Sequence, residues 1–263
     1  MVQYIQIFMK KSSLTAVVLT KNAEKTLDAC LESVSFCDEI VVIDDGSDDK
    51  TLAIAKKHDA KIYKRPLDGD FAAQRNFALE KVSHEWVLYV DADEQVDKAL
   101  QREIGDAIVS DEAVAYYLRR RDFWWNHELK YGETMKVRTQ GLIRLVKKGS
   151  GEWQAPVHET YICKGPTGRL NGFLNHYPHQ TLKEFIHEIN VYSTLRAKEL
   201  YDHHTGVSMF HILVYPSAKF ALTYFLKRGF LDGPAGFAYA FLMSFHSYLV
   251  RVKLYQYRRF GKP

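Results

Sequence analysis

Four short runs of aliphatic and β-branched residues punctuate the first 110 positions of the chain: LTAVVL (14–19), EIVVI (39–43), AKIY (60–63) and WVLYV (86–90). They are nearly continuous in apolar character, the pattern of strands covered on both faces of a parallel sheet. Between them the apolar positions change to helical spacing. Leu27, Leu31 and Val34 recur at i, i+4 and i+7, and Val96, Leu100, Ile104 and Ile108 recur at steps of four. Crossover helices are therefore expected over 24–34 and 94–108. Strand and helix in alternation predict an α/β fold: a doubly wound, mainly parallel sheet with right-handed crossovers.

From position 114 the pattern changes. VAYYLRRR, FWWN and GLIRLVKKG read as further strands carrying aromatic and basic residues, suited to sheet edges around a substrate. Thr181 and Glu184 have capping-box spacing ahead of Leu182, Phe185, Ile186 and Ile189, so a long helix is expected to open there and run to about 203. The chain thus divides into an N-terminal extension (1–13), a first half (14–110), a second half (111–180) and a C-terminal helical region (181–263).

Composition narrows the class. With 263 residues, 46% hydrophobic and 26% charged, the chain suits one large domain with an appendage and excludes extended disorder. Cys30, Cys37 and Cys163 are odd in number and contain no CxxC pair, so neither a disulfide framework nor a thiolate zinc site is expected. That usage points to a reducing compartment. In the extension, Lys10 and Lys11 follow the apolar stretch, whereas a secretory signal carries its positive charge in front.

Charge is unevenly spread. From Val207 onward eight basic residues face one acid, Asp232, so the tail carries +7 and the remainder −3 of the net +4. Within it, GPAGFAYAFLMSFHSYLV (233–250) has no charged residue and is flanked by Lys227, Arg228, Arg251 and Lys253. Gly, Pro, Ser and His dilute it as a membrane span, and an aromatic helix lying on an anionic membrane surface fits better, with a buried helix or oligomer contact as the next alternative and a true span as the last. The basic residues form no continuous stripe, which argues against nucleic acid.

Candidate chemistry lies in two acidic clusters. VVIDDGSDDKT (41–51) brings Asp44 and Asp45 to the end of one expected strand, and YVDADE (89–94) brings Asp91 and Asp93 to the end of another. Ligands of open parallel sheets bind at these carboxyl ends. Two carboxylates side by side favour a divalent cation, Mg²⁺ or Mn²⁺, which commonly takes further ligands from a diphosphate. An Asp at a strand end can accept from a uracil N3–H or from ribose hydroxyls, while Gly46 permits close backbone approach and Ser47 can help cap the helix at Thr51. Asp48 and Asp49 read as helix-start residues. LTKNAEKT after the first strand contains no glycine, which disfavours a dinucleotide-binding loop and the basic Gly-rich loop of a nucleotidyltransferase.

VVLTKNAEKTLDACLESV, EIVVIDDGSDDKT, FAAQRNFAL and WVLYVDADE, in this order, resemble the nucleotide-binding half of family 2 glycosyltransferases with the GT-A fold. WQAPVHE (153–159), HYPH (176–179), INVYSTLRAKEL (189–200) and KRGFLDGPAGF (227–237) are similar to lipopolysaccharide-core β-1,4-glucosyltransferases. The resemblance implies transfer of a hexose, glucose from UDP-glucose as the leading choice, to an inner-core heptose with inversion. It also implies a divalent cation, a lipid-linked core oligosaccharide acceptor and a place on the cytoplasmic face of the inner membrane. Carried over by position, Thr20 begins the loop under the uracil, Asp45 holds the base and Asp44 supports the strand end or the ribose. Arg75 and Asn76 line the donor's sugar and diphosphate, Asp91 orients the sugar or ribose, and Asp93 is the principal metal ligand with His176 as a further one. Glu159 is the implied base. Trp153, in a loop, is the expected stacking platform and His158 an acceptor contact, while Arg119, Arg120, Arg121, Arg138 and Arg144 lie in segments expected to meet a phosphorylated acceptor. A family 2 transferase acting on another lipid-linked or capsular acceptor, a nucleotidyltransferase and a non-catalytic scaffold of the same fold are the competing readings.

Overall fold

The computed structural model describes residues 13–156, 159–178 and 181–262. Four parallel strands occupy the expected positions: β1 (Leu14–Thr20), β2 (Glu39–Asp44), β3 (Lys61–Lys64) and β4 (Trp86–Asp91). They pair in the order β3-β2-β1-β4, which places the first strand inside the sheet with its neighbours wound outward to both sides. Helices α1 (Leu27–Ser33), α2 (Thr51–Lys57) and α3 (Phe71–Lys81) connect them.

The sheet continues unbroken into the second half. Beyond β4 lie β8 (Leu142–Lys147), β6 (Ala115–Trp124), β11 (Thr167–His176) and β5 (Glu94–Val96), with β7 (His127–Leu129) folded back on β6. Here the pairing is mixed: β8 runs antiparallel to both β4 and β6, while β11 is parallel to β6 and antiparallel to β5. Residues 94–96, expected at the head of a helix, form β5 instead. Helix α4 (Lys98–Ser110) starts after them because Asp97 caps it, accepting from the Leu100 amide at 2.7 Å. Gly172 lets this helix lie against β11, since a Cβ there would stand 2.5 Å from the Leu100 Cα.

Each face of the sheet is covered. On one, Leu27, Leu31, Leu88, Leu100, Ile104, Leu118 and Leu145 pack together under α1 and α4. On the other, Val17, Ile43, Tyr89 and Val146 meet α3 and a hairpin of β9 (Gly151–Gln154) and β10 (Thr160–Cys163), which contributes Trp153 and Tyr161.

Between β7 and β8 lies a short helix, α5 (Met135–Gln140). The C-terminal region is helical as expected: α6 (Leu182–Asp202), α7 (Met209–Ala221) and α8 (Gly233–Phe260), with a π turn at Leu222–Leu226 and a 3-10 turn at Gly229–Asp232 linking the last two. The Thr181 and Glu184 capping box is formed in both directions. Trp124, Leu129, Phe185, Ile189 and Leu242 form the core that fastens this region to β6 and β7. Among the described residues no helix is long and apolar enough to cross a membrane.

Candidate active site

The carboxyl ends of β1, β2 and β4 open on one side of the sheet, and the candidate residues gather there in two groups. At the end of β2, Asp44 is fully buried and its carboxylate accepts from the amides of Gly46 (3.0 Å) and Ser47 (3.1 Å). Gly46 holds this turn with φ +78°, a conformation that favours glycine. Both Asp44 oxygens thereby accept from the loop, which supports the strand end. Asp45 accepts from the Leu67 amide at 2.6 Å and from Lys21 Nζ at 2.9 Å. Thr20 sits beside it at the end of β1, with its hydroxyl buried and without a hydrogen-bond partner among the described residues. Ser47, expected as a helix cap, accepts from the Asn22 amide; Asp49, one residue before the α2 cap position Lys50, accepts from the Thr51 amide.

The second group is built around Arg75, the third side chain after α3's capping residue Asp70 in the buried row of that helix. Its guanidinium is 2% exposed and lies 4.9 Å from the ring centre of Trp153 and 5.4 Å from that of Tyr89. Arg75 Nε donates to Glu159 at 2.8 Å and Nη2 donates to Asp91 at 2.9 Å. Arg144, from β8, donates to the other Asp91 oxygen at 2.6 Å. Burial alone would raise the Asp91 carboxyl, but Arg144 and Arg75 outweigh it and hold the group well below the usual carboxylate range. Glu94 lies beneath, fully buried, accepting from the Asp91 amide at 3.0 Å. Burial, then the neighbouring Asp91 charge, push Glu94 upward.

Two residues beyond Asp91, Asp93 stands 3.3 Å from His176 Nε2 at the end of β11. The other ring nitrogen of His176 is 2.6 Å from buried Asp122 on β6, and Asp122 also pairs with Arg120 at 3.0 Å. Burial and Arg120 oppose protonation of His176, yet the two carboxylates outweigh them and its pKa is pushed up to about 10. Asp93 and His176 thus bring one oxygen and one nitrogen side by side, with the imidazole oriented by a carboxylate behind it, the usual backing of a metal-ligating histidine; a cation held there would displace the Nε2 proton. No cluster of three or more His, Cys, Asp or Glu suited to an ion occurs among the described residues. A two-ligand site fits a hard cation that completes its shell from a diphosphate.

Three expectations are corrected by position. Trp153 is not a loop residue with an open face: it lies on β9, 5% exposed, edge-on to Tyr89 and Tyr161. Asn76 does not face a ligand, because its side chain amide exchanges two hydrogen bonds with the Trp153 backbone, at 2.8 and 2.9 Å. Arg120 and Arg144 are engaged with Glu94, Asp122 and Asp91 and support the carboxylates instead of reaching an acceptor. His158 lies outside the described residues. Tyr89, Glu94 and Asp122 were missed by sequence reasoning. Glu94 had a signal, as the last acid of DADE; Asp122 and Tyr89 became visible only through the sheet register.

A model of glycosyl transferase family 2 matches residues 15–163, the stretch that holds nearly all of these groups. The chain belongs to this family. Within it, the chain is 32% identical to the lipopolysaccharide core biosynthesis glycosyltransferase LpsC of Rhizobium meliloti, over 94% of this chain and 93% of that protein. It is 28% identical to an uncharacterized glycosyltransferase of Rickettsia typhi, over 94% of this chain and 87% of the other. Among solved structures, residues 1–349 of Staphylococcus aureus TarS align at a TM-score of 0.48 with 14% identity, covering 94% of this chain and 91% of that one. As a family 2 glycosyltransferase the protein is an enzyme, which sets aside the nucleotidyltransferase and scaffold readings.

Proposed function

We propose that this family 2 glycosyltransferase transfers glucose from UDP-glucose, with inversion, to a heptose of the lipopolysaccharide inner core. The observation that carries the reading is the Arg75 bridge, which holds Glu159 and Asp91 on one guanidinium beside Asp93. Similarity to LpsC supports the choice of acceptor.

In this reading Asp45 and Thr20 meet the uracil, and Asp91, fixed from two sides by Arg75 and Arg144, accepts hydroxyls of the donor and orients it. Glu159 takes the proton from the acceptor hydroxyl. The acceptor oxygen then bonds to the anomeric carbon as the bond to the diphosphate breaks on the opposite face, so configuration inverts. Arg75 keeps Glu159 aimed through the hydrogen bond from Nε. Asp93 and His176 would hold Mg²⁺ or Mn²⁺, which when bound would neutralise the departing diphosphate. The basic, aromatic C-terminal region brings the site to a lipid-linked acceptor on the anionic cytoplasmic face of the inner membrane.

Product analysis tests this directly. Purified protein, Mn²⁺ and a truncated core acceptor are offered UDP-glucose, UDP-galactose, UDP-N-acetylglucosamine and GDP-mannose in turn, and the new linkage is read by NMR. A β-linked glucosyl heptose is expected. Turnover with a different donor overturns the glucose assignment, transfer only to acceptors lacking heptose overturns the acceptor, and an α linkage overturns inversion.

A further inference from the structure

On the face of β6 opposite Arg120 and Asp122, the structure assembles a second basic centre. Arg119, Arg121 and Arg138 converge on one aromatic ring, Phe173, with guanidinium carbons 4.2, 3.8 and 5.4 Å from its centre. Register places them there: Phe173 of β11 stands opposite Arg119, Asn175 opposite Arg121, and α5 supplies Arg138. Among the described residues, Glu128 is the one carboxylate that pairs with any of the three. It pairs directly with Arg138 and lies 3.6 Å from Arg121 Nε. Lys130 adds a further cation at 3.9 Å from the same acid.

Charge does not balance. Three guanidiniums against one carboxylate leave an excess of two, and three with Lys130. The Nε groups of Arg119 and Arg121 are buried with no hydrogen-bond partner among the described residues. Stacking on a ring is weakly favourable for each cation, and repulsion among three guanidiniums packed on one ring opposes it. Such an arrangement is completed by an anion. A phosphomonoester matches best, since its charge of about −1.5 to −2 equals the guanidinium excess and its oxygens suit bidentate donors.

We propose that Arg119, Arg121 and Arg138 on Phe173 form a phosphomonoester subsite separate from the donor site. The phosphate comes from the acceptor saccharide or from a bilayer headgroup; the first source rests on the acceptor reading above. Both are within the logic of the fold, because the segment carrying Glu128, Lys130 and Arg138 is bolted to the C-terminal region. The amides of Lys130 and Tyr131 donate to Asp232, and Glu133 pairs with Lys219.

The test begins with the full-length protein saturated with UDP, so that the donor site is filled, and inorganic phosphate titrated in by calorimetry. One site is expected, weakened at least tenfold in both Arg121→Met and Arg138→Met, with UDP affinity and thermal midpoint unchanged. No phosphate binding by the wild type, or equal binding by both variants, overturns the proposal. Two further arms locate the source. A tenfold rise in acceptor KM for Arg121→Met that vanishes on phosphatase-treated acceptor assigns the phosphate to the saccharide. Weaker binding of the variant to vesicles containing phosphatidic acid, with acceptor KM unmoved, assigns it to the bilayer. If UDP-sugar turnover is absent altogether while phosphate still binds, the donor reading fails and the subsite stands.

Discussion

At the scale of single residues, the site depends on one planar cation placed between two acids. Arg75 uses Nε for Glu159 and Nη2 for Asp91, a division of donors that a lysine ammonium cannot reproduce in one plane. Replacing Glu159 with Gln keeps shape and the hydrogen bond but removes the proposed base. Turnover is expected to fall by about 10²–10⁴ with UDP affinity retained, measured by single-turnover transfer and by calorimetry. Arg75→Lys is expected to lower kcat by at least about 10², because a misplaced base forfeits most of its advantage, and to loosen donor binding through Asp91. Equal kinetics for Arg75→Lys and wild type would remove Arg75 from the mechanism.

At the scale of elements, β5, β6 and β11 meet at His176, and their alignment carries a pH signature. The His176 pKa is about 10 in the folded protein against an ordinary 6.5. A raised folded pKa means that its stabilising contribution is fully present below about 6.5 and is lost as pH rises through about 10. The thermal midpoint of chelator-treated protein is therefore expected to decline across that window, and His176→Gln to flatten the decline. With UDP and Mn²⁺ added, ligation to the folded state raises the midpoint, and Asp93→Asn should abolish that increment; an increment retained in Asp93→Asn moves the cation elsewhere. The same elements show what the sequence makes legible. Apolar runs located β1 to β4 because those strands are buried on both faces, and Thr181 and Glu184 located the start of α6 because a capping box is local. Local signals could not reveal that Trp153 is turned inward by its pairing with β10, opposite Tyr161. Nor could they join Arg75 to Glu159, 84 positions apart. Arg120 and Arg144 looked like free cations for an acceptor because Glu94 and Asp91 reach them from other strands, while Asp122 shares a face of β6 with Arg120 only once that segment is extended.

At the scale of the whole molecule, the C-terminal helices leave an apolar surface that the other described residues do not cover. Phe210 and Leu213 on α7, Phe225 and Leu226 in the π turn, Leu231 beyond it and Phe241 on α8 are all more than half exposed, with Leu226 at 77%. Patches of this kind mark an interaction site. Lys227 and Arg228 lie at the same tip, between the π and 3-10 turns. The one acid from Val207 onward, Asp232, is 4% exposed and turned inward to cap the backbone of Lys130 and Tyr131, so it does not offset them. Apolar side chains beside uncompensated cations suit the headgroup layer of an anionic leaflet, where each cation near the surface contributes about 1 kcal/mol. Co-sedimentation should show binding to vesicles of phosphatidylglycerol and phosphatidylcholine, weaker binding to phosphatidylcholine alone, and partial release by salt, since the apolar share of the contact is not screened. Leu226→Glu is expected to reduce vesicle binding at least tenfold while leaving transfer to a soluble acceptor intact, because Leu226 touches none of the site. If Leu226→Glu instead dissociates an oligomer, as read by sedimentation velocity, and leaves vesicle binding unchanged, the surface joins copies of the chain and the membrane must be met by another face.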